Sequence, residues 1–236
     1  MFTLKRSILY SQLSPDKNVS AAEFFRFFQD AAVAHTTACG YSLEKLSELN
    51  RAWILLSVHL KLEKPLRLGE EIQIKTWTYD FSRVSGPRAF VVENSKTGIV
   101  FANAVAMWAF VDAETGRPKE IPADMLCQFG NGKSAELPYI RRAPKFDTET
   151  HVGDFRVLKR DLDSNGHMNN VRYIEYAMEA LPKNAEISEI EVFYKHSTFY
   201  DDKISLYSKQ DDDNSILIEF KTKDGETCTY IRFILK

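Results

Sequence analysis

Residues 161–181 read DLDSNGHMNNVRYIEYAMEAL, which places an acid, an amide and an imidazole two residues apart at Asp163, Asn165 and His167. Asp, Ser, Asn and Gly favour turns and helix caps, so this stretch is predicted to begin as a loop. Apolar residues at a three-to-four spacing then run up to Pro182, which predicts a helix over 170–181 with Asn169 or Asn170 as its N-cap. A helix start offers unpaired backbone N–H groups and the positive end of a dipole. Both suit an oxygen that becomes negative during a reaction.

The first half of the chain carries a second copy of this order of strand, loop, helix and sheet. A helix predicted from Ala21 to about Thr37 aligns with the helix at 170–181, with Phe24 on Tyr173. The turn residues Ser14, Asp16 and Asn18 then stand where the second copy has Asp163, Asn165 and His167. Two copies predict two similar halves. Because only the second copy carries the acid, amide and imidazole together, we expect one active site per chain.

Both halves are rich in strand patterns bounded by Gly, Asn, Asp and Ser. The predicted strands are 7–13, 52–62, 71–79, 88–94 and 98–112 in the first half, and 155–161, 190–194, 204–209, 215–222 and 227–235 in the second. One helix followed by long antiparallel strands indicates an α+β fold. The proline-rich stretch 115–146 is interpreted as a linker with a short helix near 123–128. The resulting domains are 1–122 and 149–236, with 123–148 between them.

The first predicted helix carries a stripe of aromatic and small residues on one face. Core packing is the favoured interpretation of this stripe, and lining a ligand pocket is the alternative. Its members are Phe24, Phe27, Phe28, Ala31 and Ala34.

Composition excludes several classes of protein. The 236 residues are 44% hydrophobic and 27% charged with a net charge of -2, which is typical of a folded domain and not of a general nucleic-acid binder. No apolar run is long enough to span a membrane. Cys39, Cys127 and Cys228 are too widely spaced for a disulfide framework or a zinc site, so no metal is expected. The start MFTLKR has no signal or transit character, and we expect a cytoplasmic protein.

The string DLDSNGHMNNVRYIEYAME resembles the D-x-N-x-H-x-N-N motif of the acyl-acyl-carrier-protein thioesterases of plant plastids and bacteria. The run WILLSVHLKLEKPLRLGEEIQIKTW at 53–77 is similar to that family as well. The resemblance, without a transit-like start, points to a bacterial member. It implies two tandem hot-dog domains, each a long helix wrapped by an antiparallel sheet. It also implies hydrolysis of fatty acyl thioesters in fatty acid biosynthesis, without a cofactor, and the motif's catalytic residues fall on Asp163, Asn165 and His167.

The chain departs from the family pattern at one position. The family has a Glu on the strand after the second helix, a few residues before a Gly-Asp turn. Anchoring that turn on Asp201-Asp202 puts Ser197 at the Glu position, and a placement shifted by one residue puts His196 there. Neither is a carboxylate. We therefore expect Ser197 and His196 to be supporting polar contacts.

The chemistry leaves the general base open. His167 has a reference pKa near 6.5, so it can act as a base or a hydrogen-bond donor near neutral pH. Asp163 can fix the tautomer of His167 or contact the attacking water, and Asn165 can bind water or the carbonyl. Three functions stay open at this point: acyl-carrier-protein thioesterase, a non-hydrolytic acyl-binding relative, and an acyl-CoA thioesterase of another hot-dog branch.

The resemblance implies acyl carrier protein as the partner, presenting its acyl chain on a phosphopantetheine arm. That partner is acidic, so it should dock on basic residues. The candidates are Lys159-Arg160, Arg141-Arg142 and Lys145. A homodimer is left open beside a monomer.

Overall fold

The computed structural model describes residues 1–144, 150–212 and 214–236, and the chain forms two compact units, Met1–Tyr139 and Ile140–Lys236. The first unit comprises β1 (Phe2–Ser7), a 3₁₀ turn (Tyr10–Gln12), α1 (Ala21–Ala38), α2 (Leu43–Glu48), β2 (Arg51–Leu62), β3 (Glu71–Thr78), β4 (Ser85–Asn94), β5 (Val100–Asp112) and α3 (Ala123–Phe129). The second comprises β6 (Thr150–Arg156), a 3₁₀ turn (Lys159–Asp161), α4 (Asn170–Met178), β7 (Ile187–Tyr194), β8 (Lys203–Asp212), β9 (Ser215–Thr222) and β10 (Thr227–Leu235).

The two units have the same antiparallel topology. In the first unit the strand order is β1-β3-β4-β5-β2, and in the second unit it is β6-β8-β9-β10-β7. In each unit the helix that follows the first strand packs on the sheet, which is the hot-dog arrangement. The predicted α+β fold of two hot-dog domains is confirmed.

The aromatic stripe of α1 lies in the core of the first unit. Phe24, Phe27 and Phe28 are buried, and the Phe28 ring lies 4.8 Å from that of Phe90 on β4. These side chains remove a large apolar area from water, so packing against the sheet stabilises the helix far more than its own propensity does. Core packing is therefore the observed role of this face.

The helix predicted over 170–181 is α4, which is shorter than predicted and ends at Met178. The N–H groups of Ala180 and Leu181 donate to the carbonyls three residues back, which tightens the chain into turns before Pro182. On α4 the buried residues Tyr173, Ile174 and Ala177 face the sheet, where the Tyr173 ring lies 5.4 Å from that of Phe220.

The predicted strands 7–13 and 155–161 are wrong over most of their length. β1 ends at Ser7 and β6 ends at Arg156, and a 3₁₀ turn follows each of them. The side chain of Gln12 accepts a hydrogen bond from Leu9 N–H, and Asp161 accepts one from Leu158 N–H, both at 2.9 Å. These local bonds offer the backbone an alternative to strand pairing.

The segment after β5 packs on the first unit. α3, which confirms the predicted short helix, buries Met125 and Phe129 beside Phe110. Further on, Trp77 Nε1 donates to the Lys133 carbonyl at 2.8 Å, and the backbone at Gly132 approaches the indole closely enough to exclude a side chain. The boundary between units at residue 139 lies inside the predicted linker. The domain edges at 122 and 149 remain predictions, and residue 149 lies outside the described residues.

A neutral histidine is buried in the first unit beside an arginine. Arg88 Nη1 lies 2.8 Å from His35 Nδ1, and because a guanidinium only donates, Nδ1 accepts and the neutral ring carries its proton on Nε2. Burial, with Arg88 and the chain's amino terminus, lowers the pKa of His35 to about 4. The ring stacks on Phe2 at 5.2 Å.

No helix in the described part of the chain has the length and apolar character needed to span a bilayer.

We predict that His35 makes the fold sensitive to acid. The pKa of this imidazole is lower in the folded than in the unfolded chain. Its contribution is therefore fully present above pH 6.5 and is lost as the pH falls toward 4. Between pH 7 and 4, urea unfolding should show wild type losing about 3 kcal/mol more than His35→Gln, whose amide oxygen can still accept from Arg88. Parallel pH profiles for the two proteins would contradict this account.

Candidate active site

The loop 163–167 is held by bonds from the backbone and carboxylate of Asp163. Asp163 N–H donates to the His167 carbonyl at 2.8 Å, and Gly166 N–H donates to the Asp163 carbonyl at 3.1 Å. The carboxylate Oδ1 also accepts from Asn165 N–H at 2.8 Å and His167 N–H at 3.3 Å. The Asp163 carboxylate therefore fixes the backbone that carries Asn165 and His167.

Gly166 meets a backbone requirement of this loop, since its φ is 77°, in the left-handed region. The matching turn of the first unit has the same Ser14 N–H to Asn18 carbonyl bond at 2.8 Å, and Lys17 adopts a φ of 67° there. The repeat inferred from sequence thus extends to the backbone conformation of the loop.

The imidazole of His167 is half-buried and packs edge-on against Phe199, with ring centroids 4.9 Å apart. Within the described residues neither ring nitrogen has a hydrogen-bond partner, so both can meet water or substrate. The carboxylate of Asp163 bonds to backbone N–H groups and not to this ring. Asn165 is exposed at the tip of the loop.

The start of α4 adds a backbone donor to these side chains. Asn169 is the N-cap, because its Oδ1 accepts from Val171 N–H at 2.9 Å, and its carbonyl accepts from Arg172 N–H. In the described part of the chain, Asn170 N–H has no acceptor. This group, at the positive end of the helix, is the available donor for an oxyanion.

Ser197 and His196 are exposed and lie in the segment after β7. The N–H groups of Lys195 and His196 donate to the Cys228 carbonyl, which fixes the backbone there. Among the described residues, neither side chain forms a hydrogen bond, an ion pair or a ring contact with the loop 163–167. Their predicted role as supporting polar contacts remains a prediction.

Thr198, which the sequence patterns did not single out, is bonded to the residue that directly follows the loop. Its carbonyl accepts from Met168 N–H at 2.8 Å, and its buried hydroxyl lies 2.7 Å from that of Tyr173. The detectable signal was a comparison of the two copies, in which these hydroxyl residues replace apolar ones.

The cysteines are separate from this chemistry. Burial, with nearby carboxylates, raises the pKa of the Cys228 thiol to about 12, so it is a poor nucleophile. Burial also raises the pKa of Cys39. No group of metal-ligating side chains occurs among the described residues.

Both halves of the chain match models of one protein family. Residues 1–129 match the acyl-ACP thioesterase N-terminal domain, and residues 145–233 match the acyl-ACP thioesterase C-terminal domain. The chain belongs to the acyl-ACP thioesterase family. The resemblance noted in the sequence is confirmed.

The curated relatives of this acyl-ACP thioesterase family member are distant in sequence. A chloroplastic palmitoyl-acyl carrier protein thioesterase of Gossypium hirsutum is 23% identical over 232 residues, covering 91% of this chain and 56% of the relative. The chloroplastic oleoyl-acyl carrier protein thioesterase 1 of Arabidopsis thaliana is 21% identical, covering 82% of this chain and 59% of its own length. The chain thus spans less than two thirds of these relatives.

Solved structures share the fold over the whole chain. An acyl-ACP thioesterase from Bacteroides thetaiotaomicron has a TM-score of 0.91 at 20% identity, covering 100% of this chain and 97% of its own. The 12:0-ACP thioesterase from Umbellularia californica has a TM-score of 0.86 at 19% identity, covering 100% and 96%. At these identities the likeness shows the fold alone.

We predict that the loop requires glycine at position 166. Gly166→Ala should destabilise the protein by about 1 kcal/mol, because a Cβ is strained in the left-handed region. Gly153→Ala is the matched control, since Gly153 has open space around it and no left-handed φ. Urea unfolding of both variants tests this, and equal stabilities would show that the loop backbone is not constrained as described.

Proposed function

We propose that this protein is an acyl-acyl-carrier-protein thioesterase that releases free fatty acid by hydrolysis. The observation that carries the proposal is the loop holding Asp163, Asn165 and His167 directly ahead of a capped helix start, in a member of this family.

In the proposed reaction His167 acts as the general base. It takes a proton from water as the water oxygen attacks the thioester carbonyl, and Asn170 N–H stabilises the oxyanion that forms. The C–S bond then breaks, and the proton on His167 is available to the departing sulfur. A thiol pKa near 8.5 makes thiolate a good leaving group, so strong acid assistance is unnecessary.

Asp163 and Asn165 support this reaction in different ways. The two hydrogen bonds accepted by the Asp163 carboxylate hold the loop, and the same short loop carries both its negative charge and the imidazole that takes the proton. Asn165, exposed at the loop tip, is placed to bind water or the thioester carbonyl. This arrangement needs no carboxylate at Ser197.

The partner we propose is acyl carrier protein with a phosphopantetheine-linked acyl chain. The Phe199 ring packs against His167, and Phe199 and the next residue, Tyr200, are 52% and 53% exposed. Lys159 Nζ lies 5.7 Å from the centre of the Tyr200 ring. Exposed aromatic rings beside a cation suit the apolar and phosphate portions of such an arm. Lys159 is therefore the favoured docking residue of the predicted set.

The other predicted docking residues have weaker support. Arg142 lies in a shallow depression with Glu191 and Tyr230, and no residue of the loop 163–167 lines that depression. Lys145 lies outside the described residues. A cytoplasmic location and a homodimer also stay predictions.

A non-hydrolytic acyl-binding protein is the second candidate function. It is favoured if the family Glu corresponds to the exposed Ser197, because a serine there cannot activate water as a carboxylate can; the placement shifted by one residue puts His196 there instead. An acyl-CoA thioesterase remains a third candidate, since coenzyme A carries the same phosphopantetheine arm. Comparing hydrolysis of acyl-carrier-protein and acyl-CoA substrates separates the three functions.

We predict that hydrolysis depends on His167. With a panel of acyl-carrier-protein substrates, His167→Ala should lower kcat by about 100-fold or more, because it removes the general base. His196→Ala is the matched control, an exposed histidine whose loss should change kcat by less than about threefold if it is only a supporting contact. Near-normal turnover by His167→Ala would refute the proposed mechanism, and no turnover by wild type on any thioester would refute the enzyme.

Two substitutions should separate the structural and chemical roles of Asp163. Asp163→Asn keeps an oxygen that can accept the two N–H bonds, whereas Asp163→Ala removes it. We expect Asp163→Ala to lose about 1 kcal/mol of stability and Asp163→Asn much less, while both lower kcat. If Asp163→Asn retained full activity, the charge would have no part in catalysis.

A further inference from the structure

The two units can be compared residue by residue because their backbone bonds correspond. Met168 N–H donates to the Thr198 carbonyl in the second unit, and Val19 N–H donates to the Leu66 carbonyl in the first, both at 2.8 Å. In the same way, Lys195 and His196 donate to the Cys228 carbonyl, and Glu63 and Lys64 donate to the Phe101 carbonyl. From these bonds, Thr198 occupies the position in the second unit that Leu66 occupies in the first, and Tyr194 occupies the position of Leu62.

The residues of α4 and α1 can be matched in the same way. Asn169 N–H donates to the Asp161 carbonyl, and Ser20 N–H donates to the Gln12 carbonyl. Asn170 at the start of α4 therefore corresponds to Ala21 at the start of α1. Four residues into each helix, Tyr173 corresponds to Phe24.

Three hydroxyl-bearing residues of the second unit thus replace hydrocarbon side chains of the first. Tyr173 and Thr198 are 2% and 0% exposed, and their counterparts Phe24 and Leu66 are 2% and 1% exposed. The first unit shows that this fold packs with hydrocarbon at these positions. Burying a hydroxyl is unfavourable unless it is hydrogen-bonded, so packing alone gives no reason for the exchange.

The hydroxyl groups bond to the segments that form the candidate active site. Tyr173 and Thr198 share a hydrogen bond of 2.7 Å, and the Thr198 carbonyl accepts from Met168, the residue after His167. Tyr194 donates to the Asn170 carbonyl at 3.0 Å. Burial raises the pKa of both tyrosines, so each keeps its hydroxyl proton.

We propose that Tyr173, Thr198 and Tyr194 are positioning residues that hold His167 and the start of α4 in register for the reaction. Tyr173 bonds to Thr198 and so fixes the segment between β7 and β8, whose Thr198 carbonyl accepts from Met168 directly after the loop. Tyr194 fixes the residue whose N–H is the proposed oxyanion donor. The three hydroxyl groups hold the loop and the helix start from the protein interior.

This inference rests on the proposed thioesterase function. Misplacing a catalytic group by a fraction of an ångström lowers turnover more than it lowers substrate binding. The hydroxyl groups touch neither substrate nor reacting atoms in this account, so their loss should appear in kcat and leave the ordinary binding of the acyl chain intact.

The test uses a double variant that restores the hydrocarbon character of the first unit. Tyr173→Phe with Thr198→Val should unfold in urea at nearly the wild-type midpoint, while kcat on acyl-carrier-protein falls about tenfold and KM changes less than about twofold. Thr198→Ser, which keeps the hydroxyl, should retain wild-type kcat. Thr36→Val is the control, because that buried hydroxyl donates to the Ala32 carbonyl of its own helix and has no other bond within the described residues.

Amide hydrogen exchange gives a readout that does not require catalysis. In the double variant the Met168 amide should exchange about tenfold faster than in wild type, because the Thr198 segment is less firmly held. The Val19 amide, which makes the corresponding bond in the first unit, should be unchanged.

The outcomes separate this inference from the proposed function. Unchanged kcat together with unchanged Met168 exchange would overturn the positioning role, as would a loss of kcat that tracks a loss of global stability. If wild type hydrolyses no thioester, the proposed function fails. In that case faster Met168 exchange alone would still support a hydroxyl network that holds the loop, and unchanged exchange would overturn it.

Discussion

The bond between Met168 N–H and the Thr198 carbonyl is the constraint on which the candidate site depends. It joins the loop 163–167 to the segment between β7 and β8, and the same bond joins Val19 to Leu66 in the first unit. A loop that must present a side chain at a fixed place needs such a connection, because polar turns have few buried contacts of their own. The loop, the helix cap at Asn169 and the contact of His167 with Phe199 all lie beside this bond.

The two copies share this frame and differ in what it presents. In the first unit the turn carries Ser14, Asp16 and Asn18, and Asp16 bonds to the side chains of the other two. In the second unit the carboxylate has moved to position 163, where it bonds to the backbone and leaves the side chains of Asn165 and His167 without bonds to it. The side chains of the first turn therefore bond to one another, whereas the second turn leaves its imidazole available to a ligand. The same unit has the hydroxyl-bearing Tyr173 and Thr198 in its interior, where the first unit has Phe24 and Leu66.

Much of the fold and of the candidate site could be predicted from the sequence, because the residue patterns that specify them are strong and local. The aromatic face of α1, most of the strands and the acid–amide–imidazole loop were all evident from residue spacing. The predictions of strands at 7–13 and 155–161 were wrong because the side chains of Gln12 and Asp161 accept hydrogen bonds from backbone N–H groups and turn the chain. An alternating sequence pattern does not reveal such bonds. Thr198 was missed because its contact with Tyr173 joins residues 25 positions apart. Only the fold brings them together.

The central claim is that a thioester carbonyl is bound between His167 and the start of α4. A crystal structure with a non-hydrolysable amide analogue of an acyl-phosphopantetheine thioester tests it most directly. The account predicts the analogue's carbonyl oxygen about 3 Å from Asn170 N–H, with the His167 ring facing the carbonyl carbon. An analogue bound with its carbonyl remote from this loop, or beside the Ser14–Asn18 turn of the first unit, would contradict it.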